Sequence, residues 1–300
     1  MKNIFCPYLI FGFIFKVFTI ISLTVIILNM TIKARNRITL ILSTITIVFS
    51  ILVLAITLFL FLSGKITWPS VYLKNTSDSF LLSYKPIYVV ISIFIEYFYI
   101  IFTSLMIRRA FEKTQASDML FFLLFLIACL CDTYRIAPTL FHISQSYSNT
   151  MIKIGNFTLL ARLLAPLALF GTTVLSSDEF KQNTEYYALI LLIIALFFSF
   201  IIPTNTAQVL PNFCLSYGYL KLIRSLSFII CFVSTISILI STIKNRYKPI
   251  MIIGFILICF GYTIMFNSYN LLSTIAGPLV LGTGTFMYLS EVHNHYLFID

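Results

Sequence analysis

Long apolar runs recur from residue 8 to residue 290, and short polar segments separate them. Each run is about twenty residues long, enough for an α-helix to cross the ~30 Å hydrocarbon core of a bilayer. The apolar residues are continuous rather than alternating, so the pattern predicts an all-α protein, a bundle of transmembrane helices, and not a membrane β-barrel. Nine spans are predicted: 8–30, 38–63, 86–107, 119–138, 156–176, 186–203, 223–243, 249–267 and 271–290.

Two runs leave the number of spans open. The N-terminal run 8–30 resembles a signal peptide, but it is too long, Lys16 interrupts it and no small-residue cleavage site follows, so we expect a retained span. The runs 249–267 and 271–290 lie close together. If they formed one re-entrant or kinked element, the chain would have eight spans.

Basic residues cluster in alternate connections between the spans, at IKARNR, RRAFEK and KNRYK. Cytoplasmic loops are enriched in Lys and Arg, so these connections predict the cytoplasmic side. The N-terminus is then outside, and with nine spans the C-terminus is inside. No loop is long enough to fold by itself, so residues 1–300 are expected to form a single integral membrane domain.

The composition agrees with this class, because 60% of the residues are hydrophobic and only 10% are charged. A soluble domain carries roughly a quarter charged residues. The formal net charge of +10 is scattered between the spans, so the expected partner is the lipid bilayer and not nucleic acid. The six cysteines lack metal or redox spacing, and no cofactor is expected. The predicted location is the plasma membrane or a bacterial inner membrane.

Two segments share a pattern and suggest an internal repeat. They are APLALFGTT, from Ala165 to Thr173, and GPLVLGTGT, from Gly277 to Thr285. Each segment lies two spans after a helix that ends in a basic cluster. This predicts parallel four-helix repeats, spans two to five and six to nine, as in some transporters. The alternative is a chance match between leucine-rich helices.

Four charged residues lie inside three consecutive predicted spans: Glu96, Asp132, Arg135 and Arg162. An ionisable group at the bilayer centre costs a few kcal/mol or more, so such groups face a partner or a water-filled cavity. Two acids and two bases balance, as a buried network requires. A rise of ~1.5 Å per residue places Asp132, Arg135 and Arg162 about 6–10 Å below the outer surface and Glu96 near the midplane. The sequence therefore predicts an ion-pair network that either binds a ligand or only holds helices together.

Proline and glycine residues predict irregular helices near these charges. Pro138 is expected to end or kink its span, and Pro166 lies one turn from Arg162. Gly277-Pro278 predicts a kink or break in mid-span, where carbonyl groups could line a cavity. A seam of small residues for close helix packing is also predicted: Gly254, Gly261, Gly277, Gly282 and Gly284.

Signals for metal binding or catalysis are weak. His293 and His295 lie near Glu291 in EVHNHY, but a helix would place the two histidines on different faces, so an ordinary interfacial tail is favoured over a metal site. The sequence contains no H-E-x-x-H, G-x-S-x-G or nucleotide-binding glycine loop. An enzyme is therefore not favoured, although lipid chemistry at the charged residues stays open.

The favoured function is a transporter, or a permease subunit, for a small solute or ion that enters from the outer side. Its polar site is expected among the third, fourth, fifth and ninth spans. Two alternatives stay open: a sensor or receptor that signals through partner proteins, and a membrane assembly subunit without a site of its own.

Overall fold

The structure, a computed structural model, describes residues 32–63, 82–111, 118–140, 148–175, 184–245 and 249–297. Most of these residues are helical, with one short two-stranded sheet. The helices are α1 (Ile32–Leu62), α2 (Pro86–Phe111), α3 (Asp118–Asp132), the short α4 (Ala137–Leu140), α5 (Ser148–Phe170), α6 (Thr184–Ile201), α7 (Leu220–Asn245), α8 (Pro249–Phe266) and α9 (Leu271–Leu297).

Eight helical segments of the described residues are long and apolar enough to span a membrane. They match the predicted spans from 38–63 to 271–290, so the chain is a multi-pass membrane protein. The predicted span 8–30 and Lys16 lie outside the described residues. The runs 249–267 and 271–290 form two separate helices, α8 and α9, which pack side by side and are each long and apolar enough to span a membrane. The total number of spans stays a prediction.

The predicted span 119–138 continues to Leu140 through a change of helix type. After α3, a 3₁₀ turn (Thr133–Ile136) carries Arg135, and α4 begins at Ala137. Pro138 therefore does not end the span. It occupies the first turn of α4, where a missing backbone N–H is tolerated. Nearly all side chains of this segment are buried, so it forms the centre of the bundle.

Helix α5 begins at Ser148, eight residues before the predicted start at 156. Its first turns contain polar residues such as Asn149 and Lys153, which are typical of a loop, so the predicted span began later. Pro166 lies inside this helix, which continues as a π-helical turn, Gly171–Leu175. In the proposed repeat, the segment from Ala165 includes this π turn, whereas the segment from Gly277 is regular α-helix, and the repeat stays a prediction.

A β-hairpin lies in the connection 204–222, between the predicted spans 186–203 and 223–243. Strand β1 (Thr204–Val209) pairs antiparallel with β2 (Leu215–Tyr217). Between them, Phe213 has a φ of 65°, a left-handed conformation that is rare for bulky residues. Its ring is buried in a cluster with apolar residues of α2 and α4. This burial fixes the hairpin against the bundle.

We call the end of the bundle that carries this hairpin the hairpin end. The opposite end, where Arg108 and Arg109 are exposed in the last turn of α2, is the basic end. The hairpin end corresponds to the side that the sequence predicts to be outside. The outward orientation and the position of the N-terminus stay predictions.

Helices α8 and α9 pack so closely that their backbones touch. A Cβ atom built on Gly261 would lie 2.5 Å from the backbone nitrogen of Leu281, and one on Gly254 would lie 2.8 Å from that of Tyr288. Gly277 and Gly284 also face the partner helix, whereas Gly282 faces open space. Helix α9 is continuous through Gly277-Pro278, so the predicted break in mid-span is absent.

The non-helical backbone in this region lies instead in the connection between α8 and α9. Gly277 lies beside Met265, so α9 begins about 7–8 Å beyond the level of Phe266, at which α8 ends. Residues 267–270 bridge this difference as a non-helical segment. The last carbonyl groups of α8 are therefore recessed within the bundle.

Candidate functional site

Three helices and one 3₁₀ turn bring the four charged side chains together. Arg135 Nη2 lies 3.4 Å from Glu96 Oε2 on α2, and Arg135 Nη1 lies 3.2 Å from Asp132 Oδ2 at the end of α3. Arg162 Nε, on α5, donates to Asp132 Oδ1 at 3.3 Å. The order of contacts is thus Glu96, Arg135, Asp132, Arg162, and we call these four residues the charge network.

The charge network is formally neutral and almost entirely buried. The side chains of Glu96, Asp132 and Arg135 have no exposed surface, and that of Arg162 is 12% exposed. Removing one partner from a buried ion pair leaves an uncompensated charge and typically costs about 3–5 kcal/mol. The network therefore links α2, α3 and α5 as long as all four charges are present.

The backbone carbonyl of Phe266, at the recessed end of α8, is the common acceptor of the site. It accepts from Arg135 Nη1 at 2.6 Å and from Arg162 Nη2 at 2.6 Å. The last carbonyls of a helix have no partner within it and carry the negative end of its dipole. Two guanidinium groups satisfy this carbonyl, which joins α8 to the network.

Two asparagines complete the shell around the Phe266 carbonyl, and neither is among the site residues predicted from the sequence. Asn212, from the hairpin, donates to the Phe266 carbonyl at 3.1 Å. Asn267 Oδ1 accepts from Arg162 Nη1 and from Asn212 Nδ2, at 3.4 Å each. The polar cluster Asn267-Ser-Tyr-Asn270 in an apolar context is a signal that could have located the turn. The hairpin thus covers the end of α8.

Some polar atoms in the network lack well-aligned hydrogen bonds. Glu96 Oε1, Asp132 Oδ2 and Arg135 Nε have none within the part of the chain that the structure describes. Asp132 Oδ2 is nevertheless 3.2 Å from Arg135 Nη1, so this contact is an electrostatic pairing without good hydrogen-bond geometry.

Arg162 lies far from the start of its own helix, α5, but close to the end of α8. It lies about 21 Å along α5 from Ser148 but level with the last residues of α8. The first turns of α5 extend past this level and pack on the hairpin, where Gly155 faces Leu215 and Thr204. This distance is longer than the ~9 Å from a start at residue 156, because α5 begins earlier than predicted. The depth of Arg162 in the membrane stays a prediction.

The predicted histidines are not part of the charge network described above. His293 is half-buried near the basic end, and the side chain of His295 lies outside the described part of the chain. Among the described residues, no group of three or more His, Cys, Asp or Glu side chains could hold a metal ion.

A groove of about 510 Å³ opens between α7 and α8 and borders the charge network at Arg162. Asn267, Tyr217 and Arg224 lie towards its hairpin end, and the rest of its lining is mainly apolar. Burial raises the pKa of the Tyr217 phenol well above its ordinary value. The phenol therefore stays protonated, and it forms a hydrogen bond of 2.8 Å with Thr158.

The chain matches no family model, no curated protein and no solved structure. The chemistry of the charge network and of the groove is therefore the basis for a functional assignment.

Proposed function

We propose that the protein is a transporter, or a permease subunit, for a small solute or ion that enters from the hairpin end. One observation carries this proposal: a neutral, buried charge network meets the recessed end of α8, and one of its arginines reaches a groove. Transporters commonly place interrupted helices and free backbone carbonyls at their substrate sites. The recessed end of α8 is comparable to such a helix end, and its Phe266 carbonyl is bound by Arg135 and Arg162.

Arg162 is the member of the network that a solute can reach. Its side chain is partly exposed, whereas the other three charged side chains are not. A guanidinium group has five N–H donors, and the contacts of Arg162 with Asp132, Asn267 and Phe266 use three of them. The remaining donors favour an anionic solute, such as a carboxylate or a phosphate.

The order of the ion pairs supplies a mechanism. A solute anion at Arg162 would compete with Asp132 for the guanidinium group. Asp132 would then rely on Arg135, which already contacts it at 3.2 Å. Because Arg162 also binds the end of α8, a change of partner at this arginine would alter how α8 is held against α3 and α5. Solute binding is thereby coupled to helix packing.

Uptake by proteoliposomes tests this proposal. The purified protein would be reconstituted and supplied with radiolabelled acetate, succinate or phosphate, with glucose as a neutral comparison. We expect at least one anion to enter faster than in protein-free liposomes. Arg162→Lys keeps the charge but loses the forked geometry, so it should slow entry by about tenfold, the value of one charge-assisted hydrogen bond.

Arg109→Lys is the matched control, because Arg109 is exposed at the basic end, far from the network. It should leave uptake unchanged. If the folded protein moves none of the anions, or if both variants transport equally well, the proposed role of Arg162 is wrong.

The complete burial of Glu96, Asp132 and Arg135 favours a second candidate, a membrane assembly subunit in which the network only holds helices together. Under this hypothesis Arg162→Lys lowers the melting temperature, but there is no uptake for it to change. Measuring thermal stability and uptake on the same protein preparation separates the two functions.

A further inference from the structure

The groove between α7 and α8 has a polar end and an apolar body. Near the hairpin end it is lined by Arg162, Arg224, Tyr217 and Asn267. Below them the lining consists mainly of apolar side chains, among them Phe232. An amphiphilic molecule has the same two parts in the same order, a polar head and an apolar tail.

The charge at the polar end is positive. Both charged residues in the lining are arginines, and no Asp or Glu occurs among the described residues that line the groove. Asp132 contacts Arg162 from behind but does not line the groove. On the cytoplasmic or matrix side of membranes, basic pockets between transmembrane helices bind anionic lipid head groups. The same pairing of arginine with phosphate applies to the arginines at the hairpin end.

The apolar part of the groove has the direction and length of an acyl chain. From Arg224 to Thr235 the lining follows α7 for about 16 Å towards the basic end. The volume of about 510 Å³ lies within the usual range of ligand pockets, roughly 300–1,000 Å³. Helix α7 is also largely exposed along its length, so the groove can be entered from the lipid.

We propose that this groove binds an anionic phospholipid, with its phosphate at Arg162 and Arg224 and one acyl chain along α7 and α8. The second chain stays in the surrounding bilayer, because the groove is open on that side. The phosphate uses donors of Arg162 that the charge network leaves unused. The lipid therefore completes the shell of the network on the one side where the network reaches a surface.

Quenching of a tryptophan by brominated lipids tests this binding. Trp68 is the only native tryptophan, so Trp68→Phe provides a silent background. Phe232→Trp then reports on the groove, since Phe232 lines it and is 58% exposed. Phe197→Trp on α6 is the matched control, because this phenylalanine is 60% exposed but does not line the groove.

The protein would be reconstituted with brominated phosphatidylglycerol or with brominated phosphatidylcholine of the same chains. At position 232, half-maximal quenching should need a mole fraction of brominated phosphatidylglycerol about tenfold lower than that of brominated phosphatidylcholine. One charge-assisted contact gives a difference in affinity of this size. At position 197 the two lipids should quench equally. Equal quenching by both lipids at position 232 would overturn the proposal.

Arg224→Gln should remove most of the preference at position 232, because it takes one of the two cations from the groove. Lys221→Gln removes the same charge from an exposed residue on the same helix that does not line the groove, and should preserve the preference. If the two variants reduce the preference equally, the lipid responds to surface charge in general and the proposal is wrong. Both proposals place an anion at Arg162, so lipid and solute would compete for its remaining donors. Quenching needs no uptake, so failure of lipid binding and failure of transport are distinguishable.

Discussion

Helix α8 meets its two neighbours in opposite ways. Towards α9 it presents Gly254 and Gly261, and the two backbones are in contact. Towards α7 it presents larger side chains such as Phe260, and a groove remains between the helices. The end of α8 lies between the two sides, because Arg135 and Arg162 bind its last carbonyl while Phe266 and Arg162 also line the groove. The difference predicts that substitutions on the closed side lower the free energy of unfolding more than substitutions on the open side.

The largest effect is expected at the charge network. Asp132→Asn removes the carboxylate that contacts both arginines and leaves one uncompensated positive charge. The free energy of unfolding should fall by about 3–5 kcal/mol. Thermal unfolding of the purified protein measures this change. Lys221→Gln also alters the charge by one unit, but at an exposed position, and should stay within about 0.5 kcal/mol. Similar losses in the two variants would contradict the network.

The glycine seam predicts the next largest effect. Gly261→Ala would place its Cβ 2.5 Å from the backbone of Leu281, so α8 and α9 would have to separate, at a cost of about 1–3 kcal/mol. Gly282→Ala, where a Cβ meets nothing within 4 Å, should be neutral or stabilising by up to about 1 kcal/mol. The difference between the two melting temperatures checks the seam, and its absence would show that the helices are not in contact there.

Much of this closed side could be predicted from the sequence. Apolar runs located the eight described spans, glycine spacing predicted the seam, and the need to balance charge singled out Glu96, Asp132, Arg135 and Arg162. Such positions can be found from the sequence because an isolated charge or a missing side chain in a membrane helix is conspicuous on its own. The convergence of the four charged side chains is a geometric finding, and their functional role stays a prediction.

The acceptor that joins the charges could not be predicted, because it is a backbone carbonyl. Any residue at position 266 supplies the same oxygen, so the identity of Phe266 carries no signal. The recessed end of α8 follows from where α9 begins, which depends on packing. Asn212 reaches the site only because the hairpin folds back onto the bundle, and its segment is too polar and too short to resemble a core element.

The hairpin provides a smaller and more local test of the closed side. Asn212→Ala removes the donor to the Phe266 carbonyl and should cost about 1–2 kcal/mol. The control is Asn205→Ala. Both asparagines accept a hydrogen bond from the backbone N–H two residues later, but Asn205 is exposed and does not contact α8. Thermal unfolding should separate the two variants, and equal losses would mean that Asn212 does not anchor the hairpin.

The smallest effect on stability is expected on the open side. Arg224 is exposed at the mouth of the groove, so Arg224→Gln should change the free energy of unfolding by less than about 0.5 kcal/mol in neutral detergent. When anionic lipid is added, Arg224→Gln should be stabilised less by the lipid than the unsubstituted protein is. Thermal unfolding with and without phosphatidylglycerol measures both quantities. A large loss in neutral detergent would place Arg224 among the residues that hold the bundle together.

The most direct test of the charge network is a double-mutant cycle between Glu96 and Arg135, which lie 3.4 Å apart with no exposed surface. Arg135→Gln leaves two carboxylates and one arginine, whereas the additional change Glu96→Gln restores neutrality. The pairing predicts that the double variant unfolds at a higher temperature than Arg135→Gln alone, with a coupling energy of roughly 1–3 kcal/mol. If the effects of the two substitutions simply add, the charges do not stabilise one another.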